Sequence, residues 1–102
     1  MAHRVVFRPR AEARLTELGL YIADQAGPAV ALDYLDRIYL ACMALAEFPE
    51  RGRRRDDIVP GLRIMPFERR VTIAYRVLKT WVEIVSIAYG GRDLARELRQ
   101  LK

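Results

Sequence analysis

Alternation dominates the second half of the chain. Val71, Ile73, Tyr75 and Val77 are interleaved with Thr72, Ala74, Arg76 and Leu78, and Val82, Ile84, Ser86 and Ala88 with Trp81, Glu83, Val85, Ile87 and Tyr89. A period of two in runs rich in β-branched and aromatic residues predicts two strands, joined around Lys79-Thr80 as an antiparallel hairpin. Centred there, the register sets Arg76 opposite Glu83, Tyr75 opposite Ile84 and Arg70 opposite Tyr89. An Arg–Glu pair across two strands adds about 0.2–1 kcal/mol. Lys-Thr lacks the Asn-Gly or Asp-Gly chemistry of the tightest turns, so a longer connection is expected.

The first half changes period. Val5, Val6 and Phe7 read as a short strand ended by Pro9, a residue suited to a helix's first turn. Leu15, Leu18 and Ile22 recur at helical spacing from Ala11 up to Ala26-Gly27, where glycine stops the helix. Pro28 opens a second helix whose stripe, Ala31, Leu35, Ile38, Cys42 and Leu45, continues to Phe48 before Pro49. So short a connection forces the two helices into an antiparallel hairpin. Leu32, Tyr34, Tyr39, Met43 and Ala46 flank the main stripe, leaving the second helix apolar over most of its circumference. Either the sheet curls around it or part of that surface awaits a partner.

Residues 50–60 read as a loop by their charge, Gly52 and Pro60. Leu62, Ile64 and Pro66 form a short strand whose ladder Pro66 limits. Gly90-Gly91 breaks the last strand, and Asp93 caps a short helix with Leu94, Leu98 and Leu101 on one side. The element order is β-α-α-β-β-β-α, within one domain spanning residues 1–102.

Charge sharpens the picture. The net charge is +5. Residues 1–50 carry five arginines against seven acids, a net of −2, whereas residues 51–102 carry thirteen Lys or Arg against six acids, a net of +7. Sixteen of the eighteen cations are arginine, whose planar fork suits carboxylates and phosphates. Arg53, Arg54 and Arg55 stand beside Asp56 and Asp57, so the loop's charges partly cancel. The N-terminal MAHRVVFRPR lacks an apolar signal core and no long apolar run follows, which predicts a cytoplasmic protein without membrane attachment. The single cysteine, Cys42, lies in an apolar helical stripe and reads as core. One histidine, His3, close to the terminus, argues against a Ser-His-Asp triad or a histidine-rich metal site, and the phosphate-loop and zinc-protease motifs are missing. Neither a catalytic residue nor a metal or other cofactor is expected. The remaining chemistry is Arg63, Arg70, Tyr89 and Arg92, which the register and strand ends place at one end of the sheet. Arginines there can stabilise phosphate charge, but proton transfer needs a group of suitable pKa.

Pro49, Gly52, Pro60-Gly61-Leu62-Arg63, a strand ending Tyr75-Arg76 and a strand running into Gly90-Gly91-Arg92-Asp93 together resemble the RelE/ParE superfamily of toxins from bacterial type II toxin–antitoxin modules. The ParE branch is the nearest, with Tyr89 standing where its last strand commonly carries a histidine. The resemblance implies an α+β fold with a helical hairpin packed on a small, mainly antiparallel sheet. It also implies a toxin that poisons DNA gyrase on cleaved DNA without chemistry of its own. The RelE alternative is a ribosome-dependent messenger RNA endonuclease using basic residues and a tyrosine on the concave face. This chain offers arginines and Tyr89 for that, but no lysine in the 50–60 loop and no second tyrosine in the last helix. A third reading is an antitoxin-binding module that has lost toxicity. The partner implied is a ParD-like ribbon-helix-helix antitoxin in a hetero-oligomer. Its amphipathic segment is expected to cover Leu32, Tyr34, Tyr39 and Met43.

Overall fold

The alternating stretches form the centre of a five-stranded sheet in the computed structural model, which describes residues 3–90 and 93–100. The elements are β1 (Arg4–Phe7), α1 (Pro9–Ala26), α2 (Pro28–Ala44), β2 (Arg53–Arg54), β3 (Leu62–Phe67), β4 (Val71–Val77), β5 (Trp81–Tyr89) and α3 (Leu94–Arg99). Strand order is β1-β5-β4-β3-β2. Among the described residues only β1 runs parallel to its neighbour, because the helical hairpin carries the chain away before β5 returns alongside it. The α+β architecture expected from the sequence is the one found. Among the described residues no helix is long and apolar enough to cross a membrane.

Period and composition explain the helices. Pro9 and Pro28 occupy their first turns, and Gly27 between them takes φ +97°, a conformation that strains any residue with a Cβ. α2 ends at Ala44 rather than running on to Phe48. The amides of Leu45 and Ala46 turn back to Cys42 and Met43 through i→i−3 bonds of 3.1 and 3.0 Å, a tightening that closes the helix while keeping Leu45 buried.

The sheet is covered on both faces. Against one lie Leu18 and Ile22 of α1 and Ile38 and Cys42 of α2, packed with Ile73, Tyr75 and Ile84. The other face holds a smaller core of Ile58, Leu62, Ala74, Val85 and Leu98, contributed by the 55–61 segment, the sheet and α3. β5 is therefore buried from Val82 through Ala88, on both sides.

The hairpin register is as expected at its closed end, with Val77 opposite Val82, Arg76 opposite Glu83 and Tyr75 opposite Ile84. The chain reverses over Lys79 and Thr80, and the Leu78 amide donates to the Trp81 carbonyl at 2.8 Å. A bulge between Ala74 and Tyr75 then slips the pairing by one, so Ala74 faces Ser86 and Val71 faces Tyr89. The expected pairing of Arg70 with Tyr89 is therefore corrected. The extra residue belongs to β5, and it breaks the strict alternation read from the sequence. Ile84 and Ile87 both join the hairpin-side core, while Val85 packs with Leu98 and Ser86 bonds Glu97 on the α3 side.

β2, unforeseen in the 50–60 loop, pairs only with Ile64 and Arg63. Pro66 lies beyond the reach of that pairing, where β3 needs no amide donor on its outer side.

Candidate functional site

Two of the expected target-binding residues meet where β3 turns into β4. Arg70 lies in the turn between Phe67 and Val71, and its carbonyl accepts the Gly90 amide at 2.8 Å, just past Tyr89. Glu68 and Arg69 precede it with φ of +48° and +69°, left-handed conformations that cost energy for residues other than glycine. The Tyr89 ring leans on Tyr21 of α1 at 5.8 Å between centroids. Nearby, Tyr34 meets Phe67 edge-on at 5.9 Å, and the Arg37 guanidinium lies 5.1 Å over the Tyr34 ring while it bridges Asp33 and Glu68. Burial, then the charge of Glu68, raises the pKa of Tyr34 above the usual phenol value against the opposing pull of Arg37 and Arg70. Among the described residues, Arg69 and Arg70 are exposed and hold no carboxylate.

Arg63 does not join them. It pairs with Tyr75, whereas Arg70 adjoins Val71, four residues away along β4 and hence about 13 Å at the rise of a strand. Its guanidinium donates to the carbonyls of Gly52 at 2.7 Å and Glu50 at 3.2 Å, fixing the loop. Tyr75 completes that latch. Its buried hydroxyl accepts the Gly52 amide at 2.6 Å and donates to the Pro49 carbonyl at 2.9 Å. Arg92 lies outside the described residues.

Two carboxylates organise the α3 side. Glu83 accepts two bonds from Arg76, at 2.8 and 3.0 Å, and one from Arg8 at 3.2 Å. Glu97 of α3 bridges to Arg10 and Arg14 of α1 and accepts from Ser86 at 2.9 Å, tying α3 to both α1 and β5. Burial alone would raise both carboxyl pKa values, but these donors hold each below its ordinary value. The sequence placed Arg76 against Glu83; it gave no sign of Arg8, Arg10 or Arg14, which approach from a distant segment.

The 53–57 segment spends its charge internally. Arg54 and Arg55 grip Asp56 and Asp57 through paired bonds of 2.9–3.0 Å. Hydrogen bonds from Arg54 and then from the Gly61 amide hold Asp56 at about 2.

The four expected antitoxin contacts divide between the flanks of α2. At 100° per residue Leu32, Tyr39 and Met43 share one flank, and Tyr34 occupies the other, against Phe67. Leu32 and Leu40 remain about two-thirds exposed and Tyr39, stacked on Phe7, half exposed, so the sheet does not curl around this helix. Cys42 is core as expected, and burial pushes its thiol up to about 12.

A family model, the ParE toxin of the type II toxin–antitoxin system parDE, matches residues 5–94. The chain belongs to this family. A structure described as the chromosomal ParDE toxin–antitoxin system from P. aeruginosa superposes on this ParE-family chain with a TM-score of 0.77 at 23% identity, covering 87% of this chain and 97% of that one. A mutant E. coli toxin RelE in the free state gives 0.67 at 16% identity, covering 97% and 95%. Comparison with curated proteins finds no match. At these identities the structural likeness speaks for the fold, and the family match for membership among ParE toxins.

Proposed function

We propose that this ParE-family toxin halts growth by binding DNA gyrase and holding it on cleaved DNA, without making or breaking a bond itself. Membership in the ParE family over residues 5–94 carries the reading. The strained turn with exposed Arg69 and Arg70, beside the Tyr89–Tyr21 pair, is the candidate contact surface. Its unspent guanidinium groups suit a target that includes a phosphate backbone. Arg92, three residues past Tyr89, belongs to the same proposed group, whereas Arg63 serves to position the 50–52 loop. In the cytoplasm a ParD-like ribbon-helix-helix antitoxin neutralises the toxin, laying an amphipathic segment over Leu32, Tyr39 and Met43 as a helix fills an apolar groove. Tyr34, on the far side of the buried stripe and packed against Phe67, lies outside this surface.

Induction of the toxin alone in cells tests the reading. DNA-damage signalling should precede any loss of translation; the reverse order, with messenger cut on the ribosome, would transfer the protein to the RelE mode of action.

A further inference from the structure

A cavity of about 550 Å³ opens on the face of the sheet opposite the helical hairpin, between α3, the 58–60 segment and the start of β5. Leu62, Val85 and Leu98 form an apolar floor, all buried, and Arg8, Arg76 and Arg99 stand around it. The cavity is in the size range of small-ligand sites. Glu83 in its wall takes one bond from Arg8 and two from Arg76. A guanidinium has five N–H donors, so most of theirs are unspent. The Arg8 and Arg76 side chains keep 50% and 33% of their exposure, which leaves those donors reachable. Three guanidinium groups against one carboxylate make the cavity doubly positive.

We propose that this cavity binds a carboxylate carried beside an aliphatic side chain, in an acidic, aliphatic peptide segment. The arginine forks match a carboxylate in shape and charge, and the floor accepts the aliphatic neighbour. A nucleotide fits poorly because the apolar floor offers nothing to sugar hydroxyls, which lose water on entering without a partner. The site is distinct from the Arg70–Tyr89 end and is probed on the isolated chain, so its outcome is independent of the gyrase reading.

The test is an NMR titration of the full chain with the capped peptide acetyl-Leu-Glu-Leu-amide, its Gln counterpart, and adenosine monophosphate. The Glu peptide should give saturable shifts centred on Arg8, Leu62, Arg76 and Val85, with the Gln peptide at least about tenfold weaker and the nucleotide inert. Arg99→Gln, an exposed change that leaves the partners of Glu83 intact, should weaken the Glu peptide about threefold or more by removing one charge. The proposal is overturned by the absence of saturable shifts up to about 10 mM peptide, by shifts centred elsewhere, by equal binding of the Gln peptide, by nucleotide binding as tight as the peptide's, or by unchanged affinity in a folded Arg99→Gln protein.

Discussion

Removing one oxygen from Tyr75 tests how the arginine-rich segment is held to the sheet. The residue is fully buried, and its hydroxyl satisfies the Gly52 amide at 2.6 Å and the Pro49 carbonyl at 2.9 Å. In Tyr75→Phe the buried Gly52 amide loses its partner, at a cost of about 1–3 kcal/mol. Pro49 is less deeply placed and its carbonyl can turn to water, so the net destabilisation should be about 2 kcal/mol. For a domain of this length that lowers Tm by about 10 °C. Urea unfolding followed by circular dichroism measures it, with an unchanged m-value showing that the surface exposed on unfolding is the same. Gly52→Ala offers a second perturbation of the same latch. Its Cβ would lie 2.6 Å from the Tyr75 hydroxyl and 2.9 Å from the Ile64 carbonyl oxygen, so the loop must move. A Tyr75→Phe protein destabilised by less than about 0.5 kcal/mol would show that the hydroxyl is not what pins the loop.

The other predictions concern surface and charge. Tyr39→Asp should weaken the antitoxin complex by at least about 2 kcal/mol in calorimetry if Tyr39 anchors that interface; unchanged affinity of a folded mutant removes it. Gln at Arg69 and Arg70 should reduce toxicity and flatten the salt dependence of target binding, whereas Gln at Arg53, Arg54 and Arg55 should do less, since Arg54 and Arg55 already hold Asp56 and Asp57. Loss of activity only in the 53–55 mutant would place the working surface on the loop. Glu83 and Glu97 have native pKa values below their ordinary 4.5, so their contribution is present above that pH and lost as pH falls through the depressed native values. Acid titration of stability should show the loss, and Glu97→Gln should shrink it; stability that rises on acidification would contradict the sign.

Local pattern and distant approach account for what the sequence revealed and what it hid. The helices, their proline starts and the central hairpin were legible because each is written in the spacing of neighbouring residues, and Arg76–Glu83 followed from counting outward from the turn. The bulge was not legible. Val85, Ser86 and Ile87 read as ordinary alternation, and only Leu98 and Glu97 of α3, packing on Val85 and Ser86, give two consecutive residues a reason to share a face. That single slip moved Arg70 away from Tyr89 across the ladder while leaving both at one end of the sheet. Arg63 was misplaced for a simpler reason: β3 runs antiparallel to β4, so residues near in sequence to the β3–β4 turn and residues at the start of β3 occupy opposite ends. Tyr21 was missed because its helix position lies beside, rather than on, the apolar stripe of α1, and nothing local signals that Tyr89 will come to rest on it.

The central claim is a gyrase poison that performs no chemistry, and a purified cleavage assay reaches it most directly. Gyrase, supercoiled DNA and ATP are incubated with the wild-type chain, and covalently trapped, cleaved DNA is measured after denaturation. The account predicts that cleaved complexes accumulate with added toxin and decline when Arg69 and Arg70 are both replaced by Gln. Gyrase left unaffected while the same preparation cuts ribosome-bound messenger RNA in the A site would contradict it.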